Sequence, residues 1–141
     1  MSDLLDTFNI AASGLSAERL RLQTIATNMA NAHTTRTAEG GPYERRVPIF
    51  EAVAIDPFGD ELDRATHRVV VAGIEGDGRP PLQVYDPSHP DANAEGYVLY
   101  PSVNILQEMV DLMTTSRTYE ANASVVESTR AMALRALEIG R

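Results

Sequence analysis

The sequence predicts a mainly α fold with a small β extension, in which long N- and C-terminal helices pair as a coiled coil around a middle region containing a β-hairpin. Three observations carry this. Apolar residues recur on a heptad grid at both ends of the chain, all eight prolines fall between Pro42 and Pro101, and six of the nine glycines fall between Gly41 and Gly96. Two proline-free ends thus flank a punctuated middle, which divides the chain into residues 1–35, 36–100 and 101–141. Charge divides in the same way. Residues 34–100 hold twelve acids against six arginines, a net of -6 out of the total of -8, so the middle is the part expected to face water.

In the N-terminal segment Leu4, Phe8, Ala11, Leu15, Leu22, Ile25, Met29 and Ala32 form one stripe, with Phe8, Leu15, Leu22 and Met29 seven apart and Glu18 as its single interruption. Gly14 inside this helix marks a close helix approach, a local bend or a merely tolerated glycine. Asn28 and Asn31 near its end have two compatible readings. They stop the helix, since asparagine tolerates the left-handed conformation and the following Thr34 and Thr35 are poor helix formers. Buried in an assembly, such amides also fix register.

The middle opens with a turn at Gly40-Gly41-Pro42, followed by an edge strand over 43–50, where Pro48 excludes a central position. Asp56-Pro57-Phe58-Gly59-Asp60 is a second turn, and Arg68–Ile74 is the strongest strand signal of the chain. The loop 76–81 then predicts a hairpin between that strand and Leu82–Tyr85. The C-terminal helix starts at Asn104, with Gln107 three residues on and Glu108 and Asp111 in the first turns. Ile105, Met109, Leu112, Ser116, Tyr119, Ala123, Val126, Arg130, Ala133 and Leu137 follow a second heptad grid, widened by Leu106, Val110 and Met113, with Gly140 as a stop.

Composition excludes several chemistries. The chain has no cysteine, which removes disulfide scaffolds, thiol catalysis and iron–sulfur ligation, and no lysine, which removes a phosphate-loop or Schiff-base lysine. A net charge of -8 speaks against nucleic acid and anionic membrane as partners. No apolar run of signal-peptide or membrane-spanning length stands in the first thirty residues. His33, His67 and His89 have no metal-ligand spacing, so neither metal nor cofactor is expected. Ser88 and His89 adjoin Asp86 in a proline-fixed turn, a poor setting for a catalytic relay, which draws its members from separate elements. The seam of two terminal helices is also small for the length of chain it must order, so the helices are expected to be firm only among neighbours.

Ala11-Ala12-Ser13-Gly14-Leu15-Ser16-Ala17, Asn28-Met29-Ala30-Asn31 with Thr34-Thr35, and Ser116-Arg117 with Tyr119-Glu120-Ala121-Asn122 resemble the shared terminal blocks of the bacterial flagellar axial proteins. Gly40-Gly41-Pro42-Tyr43 and Pro101 with Val103-Asn104 extend the resemblance, and the block from Tyr85 to Val98 resembles the proximal rod subunits within that family. The resemblance implies a non-enzymatic rod subunit whose terminal helices form the inner layer of a hollow tube. It further implies export by the flagellar type III apparatus without a cleaved signal and residence in the periplasmic rod of the cell envelope. The implied partners are copies of the same chain, other rod proteins, and the ring and export-gate junction, with no small-molecule substrate. Arg117, Tyr119, Glu120 and Asn122 belong to the shared C-terminal motif; His33 departs from the family's asparagine. A soluble coiled-coil adaptor or chaperone, and a small hydrolase using Ser88 and His89, are the competing readings.

Overall fold

The computed structural model describes residues 2–55 and 67–139, with side chains described for 6–55 and 67–138. Helix α1 runs Ser2–Ala30, strands β1 to β4 run Arg46–Ala54, His67–Gly76, Leu82–Tyr85 and Tyr97–Tyr100, and helix α2 runs Ile105–Ile139. Mainly α with a small β extension is therefore the observed class. The turn at 56–60, the paired acids Asp60 and Glu61 and the Gly140 stop lie outside the described residues, as does the side chain of Leu4.

The helix ends follow from local chemistry. At the start of α2, the Asn104 side-chain oxygen accepts the Gln107 N–H at 3.2 Å, the bond an N-cap supplies to an otherwise orphaned donor. Gln107 does not reach back to close a capping box; its amide donates to Asp111 at 2.9 Å instead. At the end of α1, the Asn31 backbone N–H and side-chain amide both donate to the Thr27 carbonyl, and the Thr34 hydroxyl donates to Asn31 Oδ1. The helix is thus wound down by side-chain bonds. The left-handed asparagine expected there is not used, because among the described residues every positive φ belongs to a glycine.

The two helices lie side by side and antiparallel. Asn28 of α1 bonds Glu108 of α2, and Gly14 lies against Asn122, so fourteen residues back along α1 correspond to fourteen forward along α2. That stretch is about 21 Å of helix. A Cβ on Gly14 would stand 3.2 Å from Asn122 Nδ2, which identifies this glycine as a close-approach position. On α2 the residues buried nearest α1 recur every seven positions as Glu108, Thr115 and Thr129, with half-buried Asn122 completing the row. Small and polar side chains therefore occupy the seam within one protomer, and the apolar grid predicted for α2 stands to one side of it.

The β pairing differs from the expected hairpin across residues 76–81. β1 pairs antiparallel with β2, from Arg46 opposite Gly76 to Ala54 opposite His67, and β3 pairs with β4, from Leu82 opposite Tyr100 to Tyr85 opposite Tyr97. Pro80 and Pro81 lack the amide donors a returning ladder needs, so this segment carries the chain away from β2 rather than back along it. A one-residue irregularity follows Ile49, where Gly73 and then Val71 are the partners and Ala72 is passed over. β4 was absent from the sequence expectations. Pro48 does sit in a strand with an open edge, since each sheet has only two strands.

α1 is the middle layer, covered by α2 on one side and by the β1–β2 ribbon on another. The Val69 N–H donates to Ser13 Oγ at 3.1 Å, and the Arg21 guanidinium lies 4.9 Å from the centre of the Phe50 ring. The second ribbon is tied back to the end of α1 by the Thr35 hydroxyl, which donates to Asp91 at 2.7 Å, and by His33, whose ring meets Tyr100 edge-on; His89 meets the same ring from within the ribbon. Among the described residues no helix is long and apolar enough to cross a membrane.

Gly96 closes the β3–β4 turn at φ +83, with its α-carbon against the Tyr85 ring, where a Cβ would stand 2.9 Å from Cε2. Gly96→Ala meets both the strained backbone and the ring. It is expected to lower stability by about 1–3 kcal/mol, read from urea unfolding, with amide exchange at Val84 and Val98 accelerated more than in α1.

Candidate assembly interface and its buried polar hub

One amide sits where the layers meet. Asn28 is 1 % exposed, and each of its hydrogen-bonding positions is used. Nδ2 donates to the Arg46 carbonyl at 2.9 Å and to Glu108 Oε2 at 3.3 Å; Oδ1 accepts the Tyr43 hydroxyl at 2.8 Å and the Arg46 N–H at 2.9 Å. A side chain in the last turn of α1 thereby pairs like a strand neighbour with the first residue of β1 and also grips α2. Gly40 and Gly41, at φ +87 and +78, make the tight turn that returns the chain to this point, and the Tyr43 N–H donates to the Thr34 carbonyl as it arrives.

Glu108 is equally buried, at 1 % exposure, and is paired rather than isolated. Its Oε1 accepts Arg45 Nε at 2.7 Å; Arg45 also reaches Asp77 at 3.4 Å, and Arg79 reaches the same Asp77 oxygen at 3.2 Å. Burial alone would lower the Arg45 pKa. The hydrogen bond and charge of Glu108, joined by Asp77, outweigh it and raise the guanidinium further above its ordinary range. Burial also raises the Tyr43 phenol, with the nearby Glu108 charge adding to it and Arg46 and Arg45 opposing. The groups of the hub bond one another and fix three chain segments relative to each other.

The Asp86 to Asp91 turn is also self-contained. The Ser88 hydroxyl and N–H both bind Asp86 Oδ1, at 2.6 and 3.1 Å, and these bonds hold the Asp86 carboxyl below its ordinary pKa. His89 Nδ1 accepts the Asp91 N–H. Ser88 and His89 are thus each turned to a backbone-organising task, and a Ser–His relay is not formed. No group of three metal-ligating side chains converges among the described residues.

The residues expected at subunit contacts fall into distinct environments. Ala11, Ile25 and Asn28 are buried within the protomer; Phe8, Leu15, Leu22, Met29, Asn31, Leu112, Ser116, Asn122, Ala123 and Val126 are half-buried. Ile105, Met109, Arg117, Tyr119, Glu120 and Leu137 are exposed, Leu137 at 65 %. A second exposed row on α2, Leu106, Val110 and Met113, repeats at i, i+4 and i+7, with Leu106 at 75 %. The first row therefore lies beside the polar seam row, and the second lies on the side of α2 facing away from it.

Two functional roles escaped sequence reading. Glu108 was read as a favourable charge in a first helical turn, whereas it anchors the helix to α1. Tyr43 was read as part of a strand, whereas it stands before β1 with its hydroxyl on Asn28. The available signal was the pairing of a mid-chain Tyr43-Glu44-Arg45-Arg46 with an acid one turn into a capped helix, which only the fold brings together.

Comparison with known families places this arrangement. The family model described as flagella basal body rod protein matches residues 8–36, and that described as flagellar basal body rod FlgEFG protein C-terminal matches residues 94–139. The class is therefore that of the bacterial flagellar rod proteins, matched on the two helical ends. The flagellar basal-body rod protein FlgC of Borreliella burgdorferi is 42 % identical, over 96 % of this chain and 97 % of its own length. That of Bacillus subtilis is 39 % identical, over 96 % and 97 %, and that of Salmonella typhimurium 37 %, over 98 % of each. The chain belongs to the FlgC family of flagellar basal-body rod proteins, structural subunits of the rod. No catalytic family is among these matches.

Two outcomes test the hub. Asn28→Leu strands the Tyr43 hydroxyl, the Arg46 amide and carbonyl and a Glu108 oxygen, and should cost about 3 kcal/mol or more in urea unfolding. A phenol whose folded pKa lies above its unfolded value contributes stability that is complete below pH 10 and lost as pH rises through the folded value. The unfolding midpoint should therefore fall on moving upward from pH 10, with less of a fall in Tyr43→Phe.

Proposed function

We propose that residues 1–35 and 101–141 build the inner wall of the proximal rod as coiled-coil-like helical layers, while 36–100 forms an outer extension. The subunit transmits torque from motor to hook by packing, and the tube it helps to form passes exported subunits. The observation that carries this reading is the exposure of both apolar rows of α2 in a single protomer. A helix with apolar rows on two sides and one partner has more to bury than its own chain offers. Helices on either side in a tube supply the missing cover.

The expected contact set follows from the rows. Ile105, Met109, Leu112, Ser116, Tyr119, Ala123, Val126 and Leu137 of α2, and Leu4, Phe8, Leu15, Leu22 and Met29 of α1, meet neighbouring rod proteins, including copies of the same chain. Arg117, Glu120 and Asn122 add polar contacts at the same level. Export proceeds through the flagellar type III apparatus with the N-terminal segment as an uncleaved signal, and the finished rod abuts the basal-body ring and export gate. No cofactor, metal, nucleic acid or small-molecule substrate enters this function.

Met109→Asp changes a side chain that is nearly half exposed in the single chain. The free chain should keep its helicity and lose less than about 0.5 kcal/mol, while basal bodies in a strain carrying it should lack a rod. Normal motility in that strain would refute the proposed contact set. Deletion of residues 1–10 should leave the subunit in the cytoplasm, as assayed by immunoblotting of periplasmic and cytoplasmic fractions.

A further inference from the structure

A groove of about 500 Å³ lies where α1, α2 and the β1–β2 ribbon meet, with Ile10, Ala11, Phe50, Val69 and Val125 among its walls. Glu18 lines it as well. One of its oxygens, Oε1, stands 3.6 Å from Arg21, whereas Oε2 is buried without a hydrogen-bond partner among the described residues. Arg21 is itself held over the Phe50 ring. The groove is therefore lined by a carboxylate whose buried oxygen is unmet among the described residues, one turn before Arg21 and beside apolar side chains, a setting complementary to a further cation that brings apolar neighbours with it.

We infer that this groove receives α2 of a second copy of the chain, with Arg117 of that copy on Glu18 and its Leu106, Val110 and Met113 along the trough. The inference rests on the rod-subunit reading and names the contact by which like subunits join. Since the chain has no lysine, a side-chain cation from a second copy is an arginine. Arg21, Arg36, Arg45 and Arg79 are engaged with acids within the protomer, whereas Arg117, Arg130 and Arg135 are exposed on α2 and make no ion pair among the described residues; of these three, Arg117 is the one that adjoins the row Leu106, Val110 and Met113. Arg117 also closes the most exposed apolar row of α2, following Leu106, Val110 and Met113 at the next helical step.

The lengths agree. From Glu18 back to Thr7, the groove's far end on α1, is eleven residues, and from Arg117 back to Leu106 is eleven residues. Both are helical, so each covers about 16 Å. Laid parallel to α1, the second α2 sets charge on charge and the apolar row on the trough. Because the groove and the docking row are different surfaces of one protomer, each copy keeps one of each free. Such a contact propagates rather than closing on itself as a two-fold dimer, unless its rotation forms a ring.

Full-length Glu18→Cys and Arg117→Cys variants provide the test, since each then carries the sole thiol of its chain. Both are co-expressed in a flagellated host lacking its own copy, basal bodies are isolated, and a bismaleimide of Arg–Glu reach is added. A cross-linked dimer is expected from the pair and not from Glu18→Cys combined with Arg135→Cys. In parallel, Glu18→Arg and Arg117→Glu should each reduce basal-body number about tenfold or more, and the double reversal should bring it back to within about threefold of the unaltered chain. Circular dichroism of the free chains checks that helicity is kept. If the unaltered chain is found in basal bodies but the 18–117 cross-link and the charge-swap recovery both fail, the docking pair is overturned and the rod reading stands. If the unaltered chain is missing from basal bodies, both are overturned.

Discussion

The arrangement of this subunit depends on a single buried amide. Asn28 cannot leave its site without stranding partners on α1's return strand, on Tyr43 and on α2, because all of its donors and acceptors are used there. A hydrophobic residue in its place would hold the layers together without specifying where. The amide instead admits one register, in which the last turn of α1 faces the first turn of α2 and Arg46 starts its strand opposite both. Buried polar groups that are fully paired add little net adhesion, yet they discriminate strongly against alternative packings.

That choice has a cost in cohesion, which explains the exposed apolar surface. With Glu108, Thr115 and Thr129 turned toward α1, the side chains that would ordinarily close a helical seam point elsewhere. The apolar rows at Ile105, Met109 and Leu137 and at Leu106, Val110 and Met113 are left to solvent in the single chain. A subunit that assembles with other rod components suits this division: a polar lock sets the shape of the protomer, and apolar faces are left for neighbours. The two β ribbons contribute little core of their own, and each gains its position through contacts to α1 or to the turn after it.

Much of this was legible in the residues. The end of α1 and the start of α2 followed from Asn31, the run of threonines and Asn104, and the middle was legible as strand-bearing but not in its pairing or in β4. The heptad grid of α2 was real as an apolar stripe, but a stripe does not say which neighbour covers it. The row facing α1 lies about one residue further round the helix and is polar, a choice made by the partners that Asn28 and Arg45 supply from distant positions. Strand pairing failed for a similar reason. The strength of Arg68–Ile74 as a strand was local information, whereas its partner depended on where Tyr43 and Arg46 are anchored. Gly14, left between three readings, was settled only by the Asn122 side chain lying opposite it.

The central claim, that the exposed rows of α2 are built for neighbours rather than for solvent, is tested most directly by thiol accessibility. Leu106→Cys and Leu137→Cys in the full-length chain give a single reactive thiol on each row, labelled by maleimide in the free subunit and in intact basal bodies. Rapid labelling of both in the free chain and protection of both in the assembled rod is the predicted result. Equal labelling of the two states at both positions would contradict it.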